Sequence, residues 1–153
     1  VNTDGVPNPF GVYNVSRIGP GTVFHGVGNY VRQDVPKVSG VTYTLSVYVK
    51  KFQTYDIVKL GATDTNSLLS IASFELTTGT CTGITGLGAA AITAVGGAGW
   101  YRVSYTYPSD GASGEYFFTI DDPAPDNFAG VYFWGAQLEI GALTAYQPVV
   151  GKT

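Results

Sequence analysis

The sequence predicts an all-β domain, a two-sheet antiparallel jelly-roll β-sandwich. Three observations carry this expectation. Only 12% of the 153 residues are charged, about half the usual share, while 44% are hydrophobic and 21 are glycine. Period-two alternation recurs along the chain, and no stretch shows the 3.6-residue period of a helix. Turn residues separate the alternating stretches at spacings near those of sandwich strands, giving eight to ten short strands. Paired sheets would then bury one face of every strand.

Taken in order, residues 1–11 hold two prolines, two asparagines and glycine, which reads as a lead-in arm. Residues 12–150 form a single domain. Residues 12–18 alternate weakly as a short strand, ended by Gly19-Pro20-Gly21. Residues 22–34, with Phe24, Val27, Tyr30 and Val31, form a strand pair or one bulged strand. Val35-Pro36 and Ser39-Gly40 mark a turn. Residues 41–52 are the clearest early strand, with Tyr43, Leu45, Val47 and Val49 on a core face and Thr44, Ser46, Tyr48 and Lys50 opposite. Residues 55–62 and 68–76 follow as strands, separated by a turn, and 77–80 turn again. The Gly- and Ala-rich stretch 83–99 reads as a short strand at 91–95 between flexible turns. It lacks the Gly-x-x-x-x-Gly-Lys spacing of a phosphate-cradling loop.

Residues 100–107 place Tyr101, Val103, Tyr105 and Tyr107 on one face and Trp100, Arg102, Ser104 and Thr106 on the other. Residues 115–121 form a further strand. The last strand starts near Gly130, and Gly141 ends it. Strict alternation puts Tyr132, Trp134, Ala136 and Leu138 on its core face and Phe133, Gly135, Gln137 and Glu139 on its outer face.

Composition limits the function classes. A net charge of −3 with eight Lys and Arg leaves no phosphate-tracking patch, so nucleic acid is not an expected partner. No apolar run reaches the length of a bilayer-spanning helix, and membrane insertion is not expected. The single cysteine, Cys81, makes no internal disulfide and reads as a small filler residue. The single histidine, His25, comes without a Gly-x-Ser-x-Gly elbow and cannot build a multi-histidine zinc site. Nothing pairs two of the eleven acids specifically for glycoside hydrolysis. The chain reads as no enzyme. It begins with Val1 and contains no methionine, which reads as a domain cut from a longer polypeptide.

Several stretches stand in an order that resembles a known family. They are Gly40-Val-Thr-Tyr-Thr-Leu-Ser-Val-Tyr-Val-Lys50, Ser73-Phe-Glu-Leu-Thr-Thr-Gly79, Gly99-Trp-Tyr-Arg-Val-Ser104, Val131-Tyr-Phe-Trp-Gly-Ala-Gln-Leu-Glu139 and Thr144-Ala-Tyr-Gln-Pro148. Together they resemble the carbohydrate-binding-module-like jelly-roll domains of bacteriophage virion proteins, found in tail fibres, tailspikes and head-fibre or decoration proteins. The resemblance spans residues 12–148. It implies a non-catalytic domain on the surface of the virion that binds host cell-surface glycans. It also implies other virion subunits as partners, as in a homotrimeric fibre. The alternative it leaves open is a structural trimerisation or capsid- or tail-decoration domain with no glycan ligand.

Sugar binding needs aromatic faces that stack on pyranose rings beside planar polar side chains. The non-core faces of the clear strands supply Tyr48, Lys50, Trp100, Arg102, Phe117, Gln137 and Glu139. A plainer reading makes Trp100 a packing residue beside Gly99 and pairs Arg102 with Glu139 as a structural ion pair. No cofactor is implied. Asp121, Asp122 and Asp126 crowd one loop as weak candidates for a structural calcium ion, without the Asp-x-Asp-x-Asp-Gly spacing.

Overall fold

The structure, a computed structural model, describes residues 5–18, 30–52, 56–63, 69–109, 113–120 and 130–147. For residues 18, 30–35, 69 and 113–120 it gives the backbone alone. The described residues form ten strands: β1 (Ser16–Ile18), β2 (Tyr30–Pro36), β3 (Thr42–Lys51), β4 (Ile57–Thr63), β5 (Leu69–Glu75), β6 (Thr80–Thr85), β7 (Ala89–Val95), β8 (Trp100–Pro108), β9 (Ser113–Ile120) and β10 (Val131–Ile140). They make two five-stranded antiparallel sheets, ordered β1-β10-β3-β8-β7 and β2-β9-β4-β5-β6.

The core lies between the sheets. From the first sheet it takes Tyr43, Leu45, Val47 and Val49 of β3 with Val103, Tyr105 and Tyr107 of β8. From the second it takes Val58, Leu60 and Ala62 of β4 with Ala72 and Phe74 of β5. These are alternate residues, as a pleated strand with one buried face requires. The inward faces expected of β3 and β8 are the ones observed.

The C-terminal strand departs from strict alternation. Trp134 lies opposite Tyr48 and Gln137 opposite Ser46, so Gly135 and Ala136 together face Val47. This is a β-bulge whose first residue is a glycine with φ of 63°, a left-handed conformation that favours glycine. The extra residue exchanges the two faces part-way along β10. Val131, Phe133 and Leu138 belong to the inter-sheet core, whereas Tyr132 and Trp134 sit outside it in a second cluster. The sequence-based placement of Tyr132 and Trp134 in the core is therefore corrected: they share the outer face with Gln137 and Glu139.

Other corrections are local. β6 falls in a stretch read as turns; all six of its residues are exposed, so it carries no burial pattern to detect. Cys81, on β6, is an exposed thiol rather than a filler. Pro36 ends β2 instead of opening a turn, a position that an edge strand tolerates. The first strand is confined to Ser16–Ile18.

The Tyr105 hydroxyl donates to the Leu87 carbonyl and fastens the β6–β7 connection to the core. Burial pushes this phenol above its ordinary value of 10.0, against a smaller opposing effect from Ser70. An acid with a raised folded-state pKa holds its proton more tightly when folded. Its contribution is complete below pH 10.0 and is lost as pH rises through the folded-state value. Denaturation midpoints measured against pH should fall above that point, and Tyr105→Phe should make the fall shallower.

A Cβ on Gly135 would stand 3.0 Å from Tyr146 and 3.2 Å from Tyr48, whereas one on Gly141 (φ 86°) would meet open space. Gly141→Ala should therefore cost only the left-handed backbone penalty, about 1–2 kcal/mol. Gly135→Ala should cost about 1 kcal/mol more through overpacking. Urea unfolding of the two variants measures the difference.

Candidate functional site

Six of the seven candidate sugar-face residues come together. Tyr48 and Lys50 on β3, Trp100 and Arg102 on β8, and Gln137 and Glu139 on β10 occupy the outer face of three adjacent strands. Tyr48 lies between Trp134 and Arg102, and Lys50 between Tyr132 and Trp100. Phe117 does not join them. It belongs to β9 in the other sheet, opposite Gly61 and Arg32. Asp121, Asp122 and Asp126, like His25, lie outside the described residues. Among the described residues no cluster of His, Cys, Asp and Glu could hold a metal ion.

Residues 5–15 and 141–147 cover much of this face, in two halves. The first half is aromatic. Tyr48, Trp100, Tyr132 and Val15 form a buried cluster against which Val6, Trp134 and Tyr146 pack. Trp100 is 2% exposed, and its indole N–H donates to the Pro7 carbonyl at 3.1 Å. Tyr48 is 5% exposed, with Trp134 at 5.5 Å and Tyr146 at 5.9 Å between ring centroids. Neither ring offers a free face to a sugar, so both are corrected from ligand-stacking to packing residues.

The second half is polar. Thr44, Ser46 and Ser104 are buried there beneath residues 141–147. Thr44 donates to the Gly141 carbonyl at 2.6 Å. Arg102 and Glu139 do not pair with each other. Both hold Thr144 instead: Arg102 donates to its carbonyl at 2.6 Å, and Glu139 accepts from its amide and its hydroxyl. Arg102 also donates to Ser46 Oγ at 3.1 Å and lies 5.3 Å from the Tyr48 ring centroid. Gln137 accepts from the Gln147 amide at 3.0 Å. Three candidate residues thus fasten the C-terminal strap by charge-assisted and neutral hydrogen bonds.

The accessible aromatic surface sits on the covering segments. Phe10 is 62% exposed and Tyr13 67%, both on a loop whose hub is the buried side chain of Asn8. That side chain accepts from the Phe10 and Val12 amides at 2.8 and 3.1 Å and donates to Asn14 Oδ1 at 2.8 Å. The Phe10 ring meets Trp134 edge-on at 5.5 Å and lies nearly parallel to Tyr146 at 6.5 Å. Trp134 and Tyr146 are 4.5 Å apart. An exposed ring held in place by three others, with Gln137 on β10 and Gln147 on the strap beside it, is a preorganised apolar platform beside planar amides. Sequence reasoning missed Phe10 and Tyr146 because they fall outside alternating strands, and Tyr13 because the strand read at residues 12–18 alternates only weakly; the aromatic crowding on a face taken for solvent-exposed was the available signal.

No protein-family model matches the chain, and no curated protein matches it.

Asn8→Ala should leave the Phe10 and Val12 amides without their acceptor, an effect worth about 0.5–1.5 kcal/mol for each hydrogen bond lost. Amide exchange is expected to accelerate at residues 10–12 while β3 and β8 remain protected.

Proposed function

We propose that this chain is a non-catalytic jelly-roll domain of a bacteriophage virion protein that binds host cell-surface glycans. The strand order supports the jelly-roll part. With β6 and β7 set aside, eight strands remain, and renumbered in sequence they lie as 1-8-3-6 and 2-7-4-5. That interleaving is what two Greek keys wrapped into facing sheets produce. β6 and β7 are additions that extend one sheet each, beyond β5 and β8.

The observation that carries the glycan reading is the exposed Phe10 ring on its aromatic support. Pyranose rings present apolar C–H faces that stack on such a ring, while amides and hydroxyls beside it meet the sugar's hydroxyl groups. The ligand surface in this reading is Phe10, Tyr13, Trp134 and Tyr146 with Gln137 and Gln147. Tyr48 and Trp100 support it from beneath, and Arg102 and Glu139 hold the strap that carries Tyr146. Sugar adhesion of this kind needs no metal or cofactor.

A second reading is a structural decoration or trimerisation domain in contact with other virion subunits. It is favoured by Val12 and Leu143, exposed aliphatic side chains on the same two covering segments, since aliphatic groups suit protein contacts rather than sugar stacking.

A glycan array probed with the isolated domain separates the two. Phe10→Ala and Tyr13→Ala are each expected to weaken binding to host polysaccharide about tenfold, equivalent to about 1.4 kcal/mol. Leu87→Ala, on the β6–β7 connection, should change nothing. Binding that survives both aromatic substitutions contradicts the proposed surface. An array without a hit, together with retained binding to another virion subunit, favours the structural reading.

A further inference from the structure

Open β-sheets end in strands whose outward N–H and C=O groups are unpaired, and native proteins blunt such edges with charges, prolines, bulges or brevity. Three of the four edges here carry such a device. β1 spans only Ser16–Ile18 and includes Arg17. β2 carries Arg32, Asp34 and Pro36. β6 contains Gly83 and pairs with β5 through a register shift at Ser73/Phe74.

β7 has none. Its seven residues, Ala89-Ala-Ala-Ile-Thr-Ala-Val95, include no charge, proline or glycine. They pair with β8 without interruption from Ala89 opposite Thr106 to Val95 opposite Trp100. The surroundings are equally bare: residues 76–99 contain no Asp, Glu, Lys or Arg. Apart from the partly buried Ala90, Ile92 and Val95, the strand's residues are exposed. The strand is thus straight, uncharged and long enough to template another strand.

We propose that the free edge of β7 pairs with β7 of a second copy of this chain, antiparallel across a two-fold axis, so that the first sheet continues into the neighbouring molecule. The occupant follows from the edge itself. An uncharged edge gains nothing from a charged partner strand, and the chain's other edges carry charges, proline or irregular register. Among the described residues β7 is the one edge whose match is itself, and an antiparallel pair of identical strands closes as a two-fold dimer. Ala89, Ala91 and Thr93 keep the exposed face low, and Ile92, at the axis, meets its own copy on the inward face, where it packs against the core. The pairing is independent of the glycan reading, whose surface lies on the covering segments.

In a pairing centred on Ile92, the two copies of residue 91 occupy diagonal positions, roughly 7–8 Å apart. A like charge introduced there opposes itself within a screening length of about 8 Å. The test is analytical ultracentrifugation of the whole chain in reducing buffer, which keeps Cys81 from linking copies, over a range of micromolar concentrations. The wild type should reach twice the 16.1 kDa chain mass. Ala91→Lys and Ala91→Glu should each weaken dimerisation about tenfold or more, and mixing the two should restore it. Wild-type protein that stays at one chain mass or sediments as three copies overturns the proposal, as do single variants that dimerise undiminished. Hydrogen exchange of the wild type gives an arm that needs no substitution. Protection of β7 amides should rise with protein concentration, and protection that is independent of concentration contradicts the pairing.

Discussion

The bulge at Gly135 and Ala136 decides what the outer face of the first sheet is made of. Without the extra residue, a strand that buries Phe133 in the core would turn Leu138 outward and Gln137 and Glu139 inward, burying two polar groups among Val and Tyr side chains. With it, Phe133 and Leu138 both reach the core, and Tyr132, Trp134, Gln137 and Glu139 all face outward, opposite Lys50, Tyr48, Ser46 and Thr44. The left-handed backbone that makes the bulge also leaves no room for a Cβ beneath Tyr146 and Tyr48. One glycine therefore sets the register and the packing of the aromatic layer above it.

The outward face that results is apolar at one end and carries the Thr44, Ser46 and Ser104 hydroxyls at the other. Residues 5–15 and 141–147 cover it, and each segment is fastened by chemistry suited to its half. Over the aromatic half, Val6 and Phe10 pack on rings, and the Trp100 indole N–H meets the Pro7 carbonyl, so the polar tip of a buried tryptophan is satisfied. Over the polar half, Arg102, Gln137 and Glu139 grip residues 144–147. An unpaired buried hydroxyl or guanidinium is costly, and these contacts satisfy the face apart from Arg102 Nε, which is buried without a hydrogen-bond partner. The same coverage carries Phe10 and Tyr146 to the surface as a supported aromatic pair.

Much of the two-sheet all-β fold was legible in the sequence because β3 and β8 alternate cleanly: Tyr43, Leu45, Val47, Val49, Val103 and Tyr105 announce a buried face by period alone. β10 misled because either register of a bulged strand looks like one continuous pattern, and only pairing with β3 reveals where the pattern switches. β6 was illegible because a strand exposed on both faces has no periodic signal. At the site, the neighbourhood of Arg102, Gln137 and Glu139 was legible as chemistry but not as an address, since adjacency of β8, β3 and β10 is a long-range fact. The role of Tyr48 and Trp100 was obscured because a two-layer picture equates the non-core face with solvent. In this molecule the terminal segments supply a third layer.

The central claim is that the outer aromatic layer presents a sugar-stacking surface on the chain's covering segments. Titrating host polysaccharide fragments into isotope-labelled protein and following amide and aromatic NMR shifts tests it most directly. The account predicts perturbations concentrated at residues 8–14, the Trp134 indole and residues 144–147, with the β2-β9-β4-β5-β6 sheet unaffected. Perturbations confined to that second sheet, or none at saturating fragment, would contradict it.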